Sequence, residues 1–283
     1  MPVKQTPTAR QLRLGAELRK LREHAGLSST EAGQLLGTNQ AQISNIEASR
    51  VGVSADRVRN MAHNYSCQDR ALIESLADMA GERHRGWWEE YREILPTGLL
   101  DLAELEHHAT ALRVAHVIHI PGLLQTAHYA RAICSEMVPH FAPHEVEHRV
   151  SYRIKRQVVV HRSSAVEYTA IIHEAALRMQ FGGREATCEQ LAHVIAMSER
   201  EGTTIRVIPF SKGTFPGSGQ SIGYSVGPVP ALDTVQLDTE HGSVLLDAQA
   251  QLEKYRFVLD RMETIALAPG KSRDLIRRTL HNL

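Results

Sequence analysis

Within six residues the chain places Gln40, Gln42, Ser44 and Asn45, four uncharged side chains that both donate and accept hydrogen bonds. Such groups suit the edges of base pairs in a DNA major groove, where each pair shows its own pattern of donors and acceptors. Ile43 and Ile46, three apart in the same stretch, share one side of a helix and should pack inward. A short helix with an apolar inner side and an amide-bearing outer side is therefore expected, with Gln40, Ala41 and Asn45 near its exposed N-terminal half.

The surrounding residues supply the elements that would hold this helix. Ser29 or Thr30 can cap a preceding helix, and Leu35 and Leu36 give it an apolar side. Gly37 can take the left-handed conformation that ends it, and Thr38 or Asn39 then caps the second helix. Upstream, Arg10 to Gly26 reads as a helix with Leu12, Leu18 and Leu21 apolar; downstream, Ser54 caps a helix with Val58 and Met61 inside.

Residues 10–65 resemble the Xre/Cro-type helix-turn-helix, on the spacing of Leu27, Glu31, Leu36, Gly37, Ile43, Ser44, Ile46 and Glu47. The resemblance implies that Gln40, Ala41 and Asn45 face bases, with Gln42 and Ser44 beside them, while Ser29, Thr38 and Asn39 lie near phosphates. It also implies a dimer on paired half-sites of a palindromic operator. Two positions depart from the pattern: Ala32 stands where a larger aliphatic is usual, and Gly33 where alanine is usual. A glycine should weaken its helix by about 1 kcal/mol relative to alanine.

Residues 1–60 carry nine Lys/Arg against five Asp/Glu, a net of +4 in a chain of net charge zero. The rest therefore sums to −4, and the basic end is the one suited to phosphates. Arg13, Arg50, Arg57 and Arg59 are the candidates for DNA-backbone contacts. The apolar fraction of 42% is that of an ordinary globular protein, and no apolar run reaches transmembrane length. The first ten residues lack the apolar core of a signal peptide, and Cys67, Cys134 and Cys188 form no CxxC pair. A cytoplasmic, nucleoid-associated protein with reduced thiols and no membrane contact is expected.

The later sequence divides differently. Residues 67–85 read as a helical connector, with a polar break from Gly81 to Gly86, and residues 86–283 as a mixed α/β domain. Trp87 and Trp88 should be a core residue beside a half-exposed one. Leu99 to His119 has helical spacing, Pro121 suits a first helical position, and residues 143–157 are amphipathic. Apolar runs at 158–160, 166–172, 205–210, 222–226, 235–237 and 244–246 read as strands. Residues 186–200, 249–267 and 271–281 read as helices. The whole is expected to be α+β, an all-α helix-turn-helix domain (residues 1–66) followed by that mixed domain.

This second part resembles the domain that follows an Xre-type helix-turn-helix in WhiJ-like actinobacterial regulators. The likeness rests on Trp87–Trp88, on LEHHATALRVAHVIHIPGLLQTAHYARA, RIKRQVVVHR, IIHEAALRMQFGG, EQLAHVI and VIPFSKGTFPG, and on the closing VLDRMETIALAP. It implies a transcriptional regulator, antitoxin-like or developmental, that works beside a small acidic partner protein. The apolar strands and the IPGLLQ turn could instead line a pocket for a small-molecule effector.

His140, His144 and His148 lie four apart, and His107, His108, His116 and His119 form a second group, which motivates a metal-dependent hydrolase. No cysteine or paired carboxylate has a matching spacing and Pro143 interrupts the triplet, so a solvated histidine face is the better reading: no metal, no cofactor and no catalytic residue. Glu174, beside His173, is read as the cap of the helix that follows. The loop 211–221, with Lys212, Gly213, Gly217 and Gly219, could cradle an anion, although such loops more often only connect strands.

Overall fold

The computed structural model describes residues 6–82, 86–162, 166–239 and 242–283. The chain forms two compact units, residues 1–89 and 90–283. The polar break around Gly81–Gly86 lies partly outside the described residues. None of the described helices is long and apolar enough to cross a membrane.

The first unit is helical: α1 (Ala9–His24), α2 (Ser29–Leu35), α3 (Gln40–Glu47), α4 (Ala55–Asn64) and α5 (Arg70–Gly81). Leu14 and Leu18 of α1, Ala32 of α2, Ile43 and Ile46 of α3, Val58 and Met61 of α4, and Leu72 and Leu76 of α5 are buried. Three details differ from the sequence reading. Ser28, not Ser29 or Thr30, caps α2: its hydroxyl accepts from Glu31 N, and the Glu31 carboxylate accepts from Ser28 N. Leu36 is buried but Leu35 is half exposed, and Leu12 is exposed while Leu14 packs inward. The apolar side of α1 runs Leu14–Leu18, so Leu12 falls off it. Beyond α5, a 3-10 turn spans Trp87–Tyr91, with Trp88 buried, Trp87 half-buried and their rings edge-on at 6.0 Å.

The second unit is built on a six-stranded mixed sheet. Its elements are α6 (Thr97–His108), β1 (Ala111–His116), α7 (Ala127–Ser135), α8 (Pro143–Arg156), α9 (Val158–His161), β2 (Glu167–His173), α10 (Glu174–Arg178), α11 (Gly183–Met197), β3 (Thr203–Ile208), β4 (Ile222–Val226), β5 (Thr234–Thr239), β6 (Gly242–Leu246), α12 (Gln249–Ile265) and α13 (Pro269–His281). The strand order is β3-β2-β1-β4-β5-β6. β1, β2 and β3 are parallel, and β1/β4, β4/β5 and β5/β6 are antiparallel. Parallel neighbours need long crossovers, which α7–α9 and α10–α11 provide.

The two sheet faces differ in chemistry. On one face Leu112, Tyr168, Ala170, Ile172, Ile205 and Val207 pack with Tyr129, Val159, Val160, Leu191, Val194 and Ile276 from the helices. On the other, Ala115, Ile171, Ile222, Tyr224 and Val235 pack with Leu252, Tyr255, Leu259 and Met262 of α12. Arg113 on that face bridges to Glu263 and Asp260 at 2.7 and 2.8 Å.

The elements of this unit depart from several sequence expectations. The helical spacing through Leu112 is broken: α6 ends at His108, and 111–116 is the strand that divides the parallel from the antiparallel half. Leu112 and Ala115 point to opposite, equally buried faces, and a short apolar run buried on both sides mimics helical spacing. Pro121 precedes a 3-10 turn, Gly122–Leu124, and the helix starts only at Ala127, capped by Thr126. The Val158–Val160 run is helical, because packing overrides the β-preference of branched residues. His173, not Glu174, caps α10: its Nδ1 accepts from Ala175 N. Glu174 instead accepts from Phe210 N and pairs with Arg178.

Candidate nucleic-acid interface

The turn between α2 and α3 is set by two glycines and one arginine. Gly37 has φ +64°, the left-handed conformation that reverses the chain after Leu36. Gly33 is buried, and a Cβ there would stand 2.9 Å from the carbonyl carbon of Asn39 and 3.1 Å from Gln40 N. Glycine at this position therefore lets α2 lie against the start of α3, which offsets its poor helix propensity. Arg57 of α4 donates from both terminal nitrogens to Leu36 O, at 3.3 and 3.2 Å, satisfying a carbonyl left open where α2 ends.

The start of α3 is capped by Asn39, whose Oδ1 accepts from Gln42 N at 2.9 Å. Thr38 adds a hydroxyl hydrogen bond to the Gln42 side-chain oxygen. Gln40, Ala41 and Gln42 are exposed, while Ser44 and Asn45 are half-buried. An open groove beside them is lined by Gly37, Thr38, Gln42, Gly52, Ser54 and Arg57.

The far end of α3 is anchored by a feature the sequence reading missed. Arg22 of α1 donates from Nε to Glu47 Oε1 at 2.6 Å, from Nη2 to Glu47 Oε2 at 2.9 Å, and from Nη1 to Leu27 O at 2.6 Å. Both side chains are nearly buried. Pairing with Glu47 holds the guanidinium above its ordinary pKa despite burial. Burial, then the neighbouring Glu47 charge, raises the Tyr65 hydroxyl to about 12. Gly15 leaves room for the end of α3, since a Cβ there would meet Ser49 Oγ at 2.7 Å. A sequence signal existed: Arg22 follows Leu14 and Leu18 at four-residue steps, and Glu47 follows Ile43, so both charges sit on inward-facing lines.

The arginines read as phosphate contacts divide. Arg50 is exposed and makes no ion pair or side-chain hydrogen bond among the described residues. Arg13 pairs with Glu17 at 2.7 Å and is largely covered. Arg59 pairs with Glu74 at 2.7 Å and with Asp56 at 3.2 Å, and Arg57 is committed to Leu36 O. A phosphate reaching Arg13, Arg57 or Arg59 competes with an existing partner; one reaching Arg50 does not. Ser29 is half-buried in the first turn of α2.

The other candidate positions lie in the second unit. Gly217 has φ +74° and is packed so that a Cβ would be 3.0 Å from both Ile222 and Val258, whereas Lys212 is exposed and Gly213 and Gly219 face open space. The loop is thus seated on α12 through Gly217. His144 and His148 lie 6.0 Å apart and His107 and His108 4.9 Å apart, ring centre to ring centre. Among the described residues no three His, Cys, Asp or Glu side chains converge as a metal site would require.

Residues 13–76 match the model of a family described as a helix-turn-helix domain, and residues 99–278 match that of a family described as a domain of unknown function, DUF5753. No curated protein matches the chain. No solved structure matches it either. The first match supports a DNA-binding regulator, in keeping with the exposed amides at the start of α3. The second covers well over half of the chain, which therefore belongs to the DUF5753 family, with a helix-turn-helix domain at its N-terminal end.

Proposed function

We propose that the chain is a sequence-specific transcriptional regulator of Xre/Cro type that binds a palindromic operator as a homodimer and carries out no catalytic step. The carrying observation is the exposure of Gln40, Ala41 and Gln42 at the capped start of α3, on a helix held by Arg22–Glu47 at its other end. Gln40 and Asn45 read base edges, with Ala41, Gln42 and Ser44 in the same contact; Ser29, Thr38, Asn39 and the arginines, Arg50 first, meet the backbone. Two-fold symmetry would set the half-sites about 34 Å apart.

The C-terminal domain, from residue 86 onward, dimerises and receives the regulatory signal. Its likeness to WhiJ-like regulators favours a small acidic partner protein, with the protein acting in the cytoplasm at the nucleoid. Selection of bound sequences from random DNA tests the reading: one palindromic consensus is expected from the full chain. The Gln40→Ala, Asn45→Ala double variant should fold normally and lose that consensus; retention of the same operator would sink the assignment of base contacts. Sedimentation of the full chain with and without operator tests the dimer, and co-purification with mass spectrometry tests the partner.

A further inference from the structure

α12 is packed on one side only. Leu252, Tyr255, Leu259 and Met262 pack against the sheet. Phe257 lies on the opposite side and is 72% exposed, more than any other aromatic residue among those described. Ala250 and Thr264, seven residues before and after it, put only small side chains on the same line, so nothing on the helix screens the ring. A single exposed apolar side chain is ordinary. The charges that flank this one are ordered.

At about 100° per residue, Glu253 and Asp260 fall about 40–60° to one side of Phe257, and Lys254 and Arg261 as far to the other. All four are exposed. Glu253 accepts from Gln249 at 2.7 Å, and Lys254 Nζ stands 5.6 Å from the centre of the Tyr255 ring. Asp260 pairs with Arg113 yet keeps 60% of its side chain exposed. Arg261 makes no ion pair or side-chain hydrogen bond among the described residues. Arg256, further round on the acidic side, is turned to Tyr224 and Asp233. The outer face of α12 is therefore an acidic stripe, a phenyl ring and a basic stripe, side by side.

This pattern is complementary to itself in one orientation. In a parallel pair with a two-fold axis along the helices, each acidic stripe lies beside the other copy's basic stripe. Glu253 then meets Lys254 of the partner subunit, and Asp260 meets Arg261 of the partner subunit, with the two Phe257 rings between them. An antiparallel pair would set acid against acid and base against base. Flanking charges of this kind choose the partner and direction of paired helices.

We propose that α12 is the dimerisation helix and pairs in parallel with α12 of a second copy, centred on Phe257. The proposal rests on the homodimer reading above and names the surface that the dimer uses. One helix face is a small interface, so the aromatic ring supplies most of the affinity and the dimer forms in the micromolar range.

Sedimentation equilibrium of the full chain without DNA, at loadings up to on the order of 100 μM, reads the dimer Kd. Phe257→Ser should leave the far-UV circular dichroism unchanged and raise Kd about thirtyfold, as loss of a central aromatic anchor does. Glu253→Lys should raise Kd about tenfold, because lysine then faces lysine on both sides of the rings. The Glu253→Lys, Lys254→Glu double variant should return Kd close to that of the natural sequence, since the exchanged charges match again. In an antiparallel pair Glu253→Lys would instead face Asp260 and tighten the dimer. A dimer untouched by Phe257→Ser, or left unchanged or tightened by Glu253→Lys, overturns this pairing and leaves the homodimer reading standing. A natural chain that stays monomeric throughout overturns both.

Discussion

Arg22 and Glu47 make a two-pronged ion pair at 2.6 and 2.9 Å that ties the end of α3 to α1, 25 residues away in sequence. The same guanidinium closes on Leu27 O, so one side chain fixes α1, the approach to α2 and the anchored end of α3. The orientation of the proposed reading surface follows from this contact, since α3 is too short to hold its direction alone.

Replacing one partner should therefore be costly. Arg22→Met leaves Glu47 buried and unpaired, and a loss of about 3–5 kcal/mol is expected. The Arg22→Met, Glu47→Leu double variant should recover much of that loss, because neither charge is then stranded. Urea unfolding followed by circular dichroism measures both; equal losses in single and double variants would count against a stabilising pair.

Gly33 and Gly270 should respond in opposite directions to alanine. At Gly33 the new Cβ meets the backbone of Asn39 and Gln40, so a loss of about 1–3 kcal/mol is expected although alanine is the better helix former. At Gly270, in the first turn of α13, nothing lies within 4 Å, and a gain of about 0.5 kcal/mol is expected. Paired denaturation curves check the contrast, and a Gly33→Ala gain would show that the turn relaxes freely.

The arginines separate contact from support. Arg50→Gln should leave Tm unchanged, weaken binding to every DNA sequence alike, and reduce the salt dependence by about one phosphate. Arg57→Gln should lower Tm, because Leu36 O loses both of its donors, and weaken DNA binding only through the turn. Fluorescence anisotropy at several salt concentrations, alongside melting curves, distinguishes the two.

Two buried groups predict a pH optimum. Burial raises Glu106 to about 7 against its ordinary 4.5, overriding the opposing pull of Arg156. The folded state then holds the proton more tightly, so this contribution is complete below pH 4.5 and is lost as pH rises through about 7. Burial lowers His116 to about 4 from 6.5, against the opposing pull of Asp238. Its contribution is present above pH 6.5 and is lost as pH falls through about 4. Melting temperatures from pH 4 to 8 should decline on both sides; Glu106→Gln should flatten the upper limb and His116→Gln the lower, whatever their absolute stability.

The first unit was largely legible in the sequence because its signals are local. A glycine at a turn, a capping Asn39 and isoleucines three apart act within one or two helical turns, so Gly37, Asn39, Ile43 and Ile46 stand where their spacing puts them. The same holds for strands bounded by turn residues, as at Ile222–Val226. Tertiary structure alone decided the rest. It turned Ala111–His116 from a helical pattern into a strand buried on both faces, and made Val158–His161 a helix through packing. It engaged Arg57 with a carbonyl rather than leaving it free, and gave Gly33 a purpose that helix propensity argues against. It also brought Glu106, His116, Arg153, Arg156 and Tyr168, drawn from four separate elements, within electrostatic reach of one another. Their spacing carries no such information, because the cost of burying charge depends on neighbours that only the folded chain supplies.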